Sequence, residues 1–329
     1  MSGIDDTRIL EYTAVSNTRR RYRLYGLTLA ARLDLPCPRA DRRARPDVRL
    51  VEGTADAFAR ARTQAGPMSR DWFHCRRLAS GTTYVRWTGS FEFLVSEDGR
   101  TIRYRPLGHA THESLTVYLL GQILSFSLLA RGSDPLHGTV VDVGGRAVAF
   151  VGDCGFGKST LGAALLARGC PIVADDLVSL GRRGRRWLVH PGIPRLKLAP
   201  HMAAHLLGDD VPGEPMIHGA AKRVIPLARP QAAGRALPLR AIYVLAAPRR
   251  SGAIAVAPLS PPEGFLEVIR AAFNLVVHDR VRYANQFGFA TRLVADVPVR
   301  RLVYPRTIAR LPALCDAVLA DVAALPAPA

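Results

Sequence analysis

Alternating hydrophobic and polar positions in the first third of the chain predict a sheet built of hairpins. Residues 21–38 alternate and end in prolines, which indicates one or two strands. Residues 82–95 have the pattern of a hairpin that turns at Gly89-Ser90, and a later Asp-Gly turn precedes a further strand. We therefore expect the chain to begin with antiparallel strands.

A helical period replaces the alternation at Thr111. The stretch from Thr111 to Gly132 begins with a threonine cap and an acid in the first turn, and it predicts a largely buried helix. It is too short and too interrupted by polar residues to predict a membrane span. The first residues carry acids and lack the basic-then-apolar order of a secretory signal. We expect a cytoplasmic protein without a membrane partner.

Strands and helices alternate in the second part of the chain. Two apolar strands flank a turn at Gly144-Gly145, and the second runs into a glycine-rich stretch. A helix from Lys158 to Arg168 follows, and a short buried strand then ends at two adjacent aspartates. This pattern predicts an α/β fold. Further strands are predicted around 186–190, 194–198 and 240–246, and further helices at 200–207, 262–277 and 307–323.

The glycine-rich stretch matches the phosphate-loop pattern in full. Gly152 and Gly157 have the required spacing ahead of Lys158 and Ser159, between a strand and a helix. Backbone N–H groups at a helix N-terminus favour negative charge, so we expect nucleotide phosphates here. Lys158 would reach the β- and γ-phosphates, and Ser159 would ligate Mg²⁺. The predicted nucleotide-binding residues are Gly152, Asp153, Cys154, Gly155, Phe156, Gly157, Lys158, Ser159 and Thr160.

The adjacent aspartates, Asp175 and Asp176, would meet the γ-phosphate and its metal if they lie at the carboxyl end of a strand. One carboxylate would hold Mg²⁺, and the other would accept a proton from an attacking hydroxyl, as in a kinase. The spacing alone leaves open which aspartate does which. Two solvated acids that cap a strand are the alternative. His137, taken alone, has the pattern of a hydrogen-bonded structural residue.

Composition changes this picture in two respects. The 329 residues carry a formal net charge of +18, which favours anionic partners, but the basic residues are scattered and form no nucleic-acid-binding motif. Nucleic acid is therefore not an expected partner. Five cysteines without a C-x-x-C spacing argue against a disulfide framework and a structural zinc site.

Lysine is rare among the basic residues. Of the 45 Lys and Arg residues, only Lys158, Lys197 and Lys222 are lysines. A compact ammonium fits where a planar guanidinium does not, so a rare lysine in an arginine-rich chain is a candidate for a site role. We expect Lys197 and Lys222 to act near the phosphates or on an acidic substrate, with chance as the alternative.

Three stretches together resemble the HPr kinase/phosphorylase family: LHGTVVDV at 136–143, GDCGFGKST at 152–160 and LLARGCPIVADDLVSL at 165–180. The resemblance implies a phosphate-loop kinase domain related to phosphoenolpyruvate carboxykinase, which we place at 131–329. The hairpins and the buried helix before it predict a smaller antiparallel α+β domain at 1–130. The resemblance also implies the roles of five residues. Lys158 contacts phosphates, Ser159 is a Mg²⁺ ligand, His137 belongs to the active site, Asp176 accepts the proton of a substrate serine, and Asp175 assists the metal or the same proton transfer.

The chain departs from that family after the aspartates. Where the family has a glutamate-containing signature, this chain has VHPGIPRLKLAPH, which argues against the family's phosphorylase activity. The stretches YRLYGLTLAARLDLP, PGIPRLKL and AAKRVIPL resemble the lasso-peptide kinases, diverged relatives that phosphorylate a serine near the C-terminus of a precursor peptide. The expected substrate-binding residues are Arg195, Lys197, Lys222 and Arg223.

The sequence therefore predicts a Mg-ATP-dependent kinase acting on a serine hydroxyl of a peptide or small protein. The first acceptor is a ribosomally made lasso precursor peptide. Regulatory phosphorylation of an HPr-like carrier protein is one alternative, and a nucleotide-gated binding protein with little catalysis is the other. The resembled family forms hexamers, so a homo-oligomer is left open.

Overall fold

The computed structural model describes residues 19–67, 72–108, 110–208, 211–215, 221–274, 276 and 278–326. Within them the chain forms two seven-stranded sheets and one three-stranded sheet, accompanied by helices. The predicted mixed α/β class is confirmed. The first large sheet lies in residues 20–106 and the second in residues 136–303.

The first sheet contains seven strands: β1 (Arg20–Leu24), β2 (Leu27–Ala31), β3 (Val48–Glu52), β4 (Phe73–Arg77), β5 (Thr83–Trp87), β6 (Phe91–Val95) and β7 (Thr101–Pro106). Their spatial order is β1-β2-β3-β7-β6-β5-β4. The hairpin predicted to turn at Gly89-Ser90 is confirmed, because β5 and β6 pair antiparallel. The prediction of an antiparallel sheet is wrong at β3, which is parallel to both β2 and β7. Parallel partners need a crossover, and the chain between β3 and β7 runs through α1 (Ala55–Ala65) and three further strands.

The helix predicted from Thr111 onward is present as α2 (His112–Tyr118), a π-helical turn (Leu119–Ile123) and α3 (Leu124–Ala130). Thr111 caps it as predicted, because its hydroxyl accepts the Ser114 N–H. In the described part of the chain it alone is long and apolar enough to span a membrane, contrary to the sequence-based expectation. However, 72% of this stretch is buried inside the protein. Its apolar side chains pack into the core of the first sheet, among them Leu115, Leu120, Ile123 and Phe126.

The second and third sheets contain the remaining strands: β8 (Leu136–Val143), β9 (Arg146–Val151), β10 (Ile172–Arg183), β11 (Arg186–His190), β12 (Arg195–Leu198), β13 (Glu214–Pro215), β14 (Arg223–Pro226), β15 (Leu237–Leu245), β16 (Ala255–Pro258) and β17 (Val299–Val303). The second sheet has the order β11-β10-β8-β9-β15-β17-β16, and its members β9, β15 and β17 are parallel. The small third sheet has the order β12-β14-β13.

Helices cover both faces of the second sheet. They are α4 (Lys158–Leu166), α5 (Pro200–Leu207), α6 (Pro261–Arg270), α7 (Arg280–Asp296) and α8 (Leu311–Ala324). One buried cluster joins one face of the sheet to α4, α5 and α8, and another joins the opposite face to α6 and α7. A sheet covered on both faces has few polar positions in its central strands, which explains the continuous apolar runs of β9 and β15.

Most predicted elements of this half are observed within a few residues. The strands expected around 186–190, 194–198 and 240–246 are β11, β12 and β15, and the helices expected at 200–207 and 307–323 are α5 and α8. The helix expected at 262–277 is α6, which ends at Arg270, seven residues before the predicted end. The hydrophobic pattern does not indicate α7. Its residues Val281, Tyr283 and Phe287 are exposed, so its apolar positions do not trace one buried face.

The strand that carries the aspartates is longer than predicted. β10 continues past Asp176 to Arg183, pairing first with β8 and then with β11. Residues 177–180, which follow the aspartates and are apolar except for Ser179, are buried and continue the ladder. The prediction that Asp175 and Asp176 end a strand is therefore wrong, since both lie within it.

The predicted domain division between residues 130 and 131 falls between α3 and β8, and it stays a prediction. Leu177 and Ile193, which belong to the second half, are part of the same buried cluster as the first sheet. The core of the first sheet therefore reaches β10 directly beside Asp176.

Candidate active site

The loop between β9 and α4 begins at Gly152 and ends at Gly157. Gly155 and Gly157 have φ angles of +84° and +96°, in the left-handed region that favours glycine. A Cβ atom on Gly157 would lie 2.9 Å from the hydroxyl oxygen of Tyr304. That hydroxyl donates a 2.7 Å hydrogen bond to the carbonyl of Phe156. Tyr304 therefore holds the turn from outside the motif.

Lys158, the first residue of α4, bends back over this loop. Its Nζ donates to the carbonyl oxygens of Gly152 at 2.7 Å and of Asp153 at 2.9 Å. Burial lowers the pKa of Lys158, and the charge of Lys222 acts in the same direction. The ammonium is thus fixed beside the N-terminus of α4, where both favour an anion.

Asp175 accepts hydrogen bonds from three different elements. Thr139 Oγ1 on β8 donates to its Oδ1 at 2.7 Å, and Ser159 Oγ on α4 donates to the same oxygen at 2.9 Å. The backbone N–H of Lys197 on β12 donates to Oδ2 at 2.9 Å. The buried carboxylate is therefore held in one position beside the Ser159 hydroxyl.

Asp176 departs from regular strand geometry, with a φ of +77°. Neighbouring side chains of a regular strand point to opposite faces, yet Asp175 and Asp176 line the same cavity. The left-handed backbone at Asp176 breaks the alternation and accounts for this. Backbone strain of this kind is concentrated at functional sites.

Two basic side chains lie against the Asp176 carboxylate. Lys197 Nζ is 2.6 Å from Oδ2, and His137 Nδ1 is 3.4 Å from Oδ1. Burial acts to raise the pKa of Asp176, but the Lys197 ammonium, assisted by the His137 ring, outweighs it and the pKa is lowered. The carboxylate is therefore ionised and held in an ion pair.

His137 lies beside Asp176 across the β8–β10 ladder. Its Nδ1 is 3.0 Å from the main-chain carbonyl oxygen of Asp176. Burial lowers the pKa of His137, against the opposing charge of the aspartate. A neutral imidazole that donates from Nδ1 fits this contact, and it supports the main chain where Asp176 has its left-handed conformation.

A cavity of about 320 Å³ joins the loop to both aspartates. All three lysines of the chain line it: Lys158, Lys197 and Lys222. Of the other residues predicted from the sequence, those that line it are His137, Cys154, Gly155, Gly157, Ser159, Thr160, Asp175 and Asp176.

The remaining predicted residues lie outside this cavity wall. Gly152, Asp153 and Phe156 shape the loop through their carbonyl groups. Arg195 is buried and lines a separate cavity beside Pro36 and Pro194, although its charge helps to lower the pKa of Asp176. Arg223 is exposed on β14, opposite Leu198. The structure does not bring the two arginines into the cavity.

Several lining residues carry no signal in the sequence. Thr139 follows His137 by two positions and therefore shares its side of β8, which is the one hint available. The other walls come from the end of β12, from α5 and from the segment after β17, far from the loop along the chain. They include Leu198, His201, Met202, Tyr304, Arg306, Ile308 and Leu311.

Oxygen ligands for a hard cation are present at one point of the cavity. Ser159 Oγ and Asp175 Oδ1 are 2.9 Å apart and belong to different elements. Among the described residues, no group of three or more His, Cys, Asp or Glu side chains could hold a metal ion alone. Mg²⁺ commonly uses one or two protein ligands and completes its shell with phosphate oxygens and water. The two residues fit Mg²⁺ on those terms, with nucleotide phosphates as the other ligands.

Comparison with known proteins relates this cavity to one family. Residues 129–202 match the family model described as the HPr Serine kinase C-terminal domain. The chain is HPr-kinase-like over this segment. The HPr-kinase-like segment contains His137, the loop, both aspartates and Lys197, whereas Lys222 and Tyr304 lie beyond it.

Curated relatives match over short stretches. The chain is 39% identical to the HPr kinase/phosphorylase of Prosthecochloris aestuarii over 79 residues, 23% of this chain and 22% of that protein. It is 43% identical to that of Variovorax paradoxus over 75 residues, 22% of this chain and 23% of that protein. It is 49% identical to that of Burkholderia lata over 49 residues, 15% of each. The matched part of the chain spans about a fifth of the length of these relatives.

A solved structure is also similar in part. The Hpr(Ser) kinase/phosphatase from Coxiella burnetii is 15% identical, with a TM-score of 0.31, over 57% of this chain and 94% of that chain. Values this low do not establish a shared overall fold.

Proposed function

We propose that the protein is a Mg-ATP-dependent kinase that phosphorylates a serine hydroxyl of a peptide or small protein. The observation that carries the proposal is one cavity in which the glycine-rich loop, the Ser159–Asp175 pair and Asp176 meet. Mg-ATP, when bound, supplies the transferable phosphoryl group. The match to the HPr serine kinase domain over the same residues supports this assignment.

Each residue has a role that follows from its contacts. Lys158 and the N–H groups at the start of α4 bind phosphates. Ser159 and Asp175 hold the metal, since they are hydrogen-bonded to each other at 2.9 Å. Asp176 accepts the proton of the serine hydroxyl, because it is the second carboxylate of the cavity and is not fixed by the loop. His137 supports Asp176.

The first acceptor we propose is a ribosomally made precursor peptide of the lasso type. The HPr-kinase-like match covers residues 129–202 and leaves out the first sheet and Lys222. Two of the three stretches that resemble the lasso-peptide kinases lie in these unmatched parts, and they support a precursor peptide as the acceptor. An HPr-like carrier protein is the second candidate, and the names of the matched relatives favour it. We place the reaction in the cytoplasm, as expected for either acceptor.

The proposal is tested by following phosphate onto serine. The purified protein, Mg²⁺ and γ-labelled ATP are incubated separately with a serine-containing precursor peptide and with an HPr-like carrier protein. Phosphoserine on the peptide, lost in Asp176→Asn, supports the first acceptor, and phosphoserine on the carrier alone selects the second. Binding of Mg-ATP with no transfer to either acceptor would contradict the kinase and support a nucleotide-gated binding protein.

A further inference from the structure

Lys197 contacts both aspartates with different parts of the same residue. Its backbone N–H donates to Asp175 Oδ2 at 2.9 Å, and its Nζ donates to Asp176 Oδ2 at 2.6 Å. The main-chain contact fixes the metal-binding carboxylate whatever side chain stands at 197. The side-chain contact occupies the carboxylate to which we assign the proton transfer. A substitution at 197 therefore changes only the second contact.

The ammonium of Lys197 lies close to the place where a terminal phosphate must bind. Ser159 Oγ contacts one oxygen of Asp175, and the Lys197 main chain contacts the other. A phosphate bound at Ser159 and Asp175 would therefore be a neighbour of Lys197, whose ammonium contacts the adjacent aspartate, Asp176. The Lys197 side chain is 12% exposed and lines the same cavity.

The side chain of Lys197 is able to change partners without a change of the main chain. A lysine ammonium is a point charge on a flexible four-carbon stem, and it does not require the paired geometry of a guanidinium. A terminal phosphate carries more negative charge than one carboxylate and accepts hydrogen bonds at several oxygens. Phosphate and Asp176 thus compete for one ammonium.

We propose that Lys197 exchanges Asp176 for the terminal phosphate of a bound nucleoside triphosphate, so that Asp176 is released only when a transferable phosphate is in place. The proposal rests on the proposed function of the cavity. A nucleoside diphosphate has no terminal phosphate at this position, so the Lys197–Asp176 pair stays closed. Lys197 is then a positioning residue that couples the presence of substrate to the availability of Asp176.

The first test compares triphosphate and diphosphate affinities. Titration calorimetry with Mg-ATP and with Mg-ADP is performed on the wild type, Lys197→Met and Lys197→Arg. We expect Lys197→Met to weaken Mg-ATP binding by about tenfold or more, the value of one charged contact, and to leave Mg-ADP binding unchanged. Lys197→Arg keeps the charge on a planar guanidinium and should restore the preference for ATP only in part. Equal losses for both nucleotides would overturn the exchange.

The second test removes Asp176 instead of Lys197, and the expected change in Mg-ATP affinity then has the opposite sign. In Asp176→Asn, Lys197 has no carboxylate partner, so Mg-ATP should bind more tightly than to the wild type, with Mg-ADP unchanged. In the double variant Lys197→Met/Asp176→Asn, that gain should disappear, because the ammonium that causes it is gone. A gain that persists in the double variant would show that removal of a negative charge alone is responsible, and it would overturn the proposal.

These outcomes separate the exchange from the proposed function. A wild-type protein that binds neither nucleotide contradicts both. A wild-type protein that binds Mg-ATP and transfers phosphate, with no nucleotide-specific effect at 197, contradicts the exchange alone. If Lys197→Met does not fold because Asp176 is left unpaired, the double variant lacks that unpaired carboxylate, and its comparison with Asp176→Asn decides: a gain in Mg-ATP affinity in Asp176→Asn that disappears in the double variant supports the exchange, and no gain, or a gain present in both variants, contradicts it.

Discussion

The cavity has two sides that are constructed in different ways. The loop side consists of residues 152–160, which are contiguous in the chain and are held by glycine conformations and by the contacts of the Lys158 ammonium with the loop carbonyl groups. The lysine side consists of β12 and the segment around Lys222, which are separated in sequence and joined by the antiparallel pairing of β12 with β14. Lys197 lies opposite Val224 in that pairing. The loop side depends on backbone conformation, and the lysine side depends on two side chains.

In the proposed function, these two sides would meet two different requirements of phosphoryl transfer, the binding of the nucleotide phosphates and the transfer itself. Backbone N–H groups bind any phosphate chain, because they are fixed by glycine conformations and by the contact of Tyr304 with Phe156. The ammonium groups of the lysine side are on flexible stems and are able to respond to what is bound. We therefore expect the loop side to set the affinity for the phosphates that ATP and ADP share, and the lysine side to set transfer and the preference for the triphosphate.

The largest effect on phosphotransfer is expected at Asp176, whose carboxylate lies between the loop side and the lysine side. Asp176→Asn should reduce phosphotransfer by about 10²–10⁴-fold, the usual contribution of a positioned proton acceptor, while Mg-ATP binding is retained. Single-turnover transfer at saturating Mg-ATP measures this directly. Transfer at the wild-type rate would show that Asp176 is not the proton acceptor.

The reverse reaction should be nearly absent. The stretch VHPGIPRLKLAPH supplies no glutamate, so the metal depends on Ser159, Asp175 and the phosphates of a nucleotide. A free phosphate ion brings fewer of these ligands. Purified phosphorylated acceptor is mixed with Mg²⁺ and excess phosphate without nucleotide, and its mass and the release of pyrophosphate are followed. Dephosphorylation as fast as the forward reaction would mean that another residue replaces the missing glutamate.

A smaller effect is expected at the second residue of the lysine side. Lys222→Ala should lower transfer by more than about tenfold, because Lys222 lines the cavity and its charge acts on Lys158. Arg43→Ala and Arg250→Ala serve as controls, since both arginines are exposed and lie outside the cavity wall. Steady-state assays of the three variants make the comparison, and equal small effects would indicate that the position of Lys222 is coincidental.

The smallest effect, a change in Mg-ATP affinity, is expected at Tyr304, whose hydroxyl contacts the loop side. Tyr304→Phe keeps the ring and removes the hydroxyl that donates to Phe156. The loss of one hydrogen bond typically costs about 0.5–1.5 kcal/mol, which corresponds to roughly two- to tenfold in Mg-ATP affinity. Calorimetry measures the affinity, and thermal unfolding checks the fold. An affinity loss as large as that of a phosphate-binding lysine would show that Tyr304 contacts the nucleotide directly.

The same contrast explains which parts of the molecule the sequence predicts. The strand, loop and helix around Gly152–Ser159 follow from contiguous residues whose spacing has a local physical cause, and the structure contains them. The Gly144-Gly145 hairpin and the helix after Thr111 are likewise local, and both are observed. The hydroxyl of Thr139 beside Asp175 could be inferred only once the pairing of β8 with β10 is known.

The rest depends on contacts between distant segments. Lys197 meets Asp176 because β12 packs against α4 and β10, and Tyr304 meets Phe156 across 148 positions of the chain. The left-handed conformation of Asp176 carries no signal, because an aspartate in a buried apolar run gives a strand pattern. Arg195 is a residue that the sequence predicts in the site and the structure places elsewhere. It shares a strand side with Lys197, yet it is buried beside a different cavity.

The central claim is that this cavity binds nucleotide phosphates through the loop side, and titration calorimetry of Lys158→Ala with Mg-ATP tests it most directly. Lys158 is the ammonium fixed between the loop carbonyl groups and the N-terminus of α4. We expect the wild type to bind Mg-ATP and the folded Lys158→Ala variant, checked by circular dichroism and thermal unfolding, to show no measurable binding. Unchanged affinity in a folded Lys158→Ala protein would contradict the account.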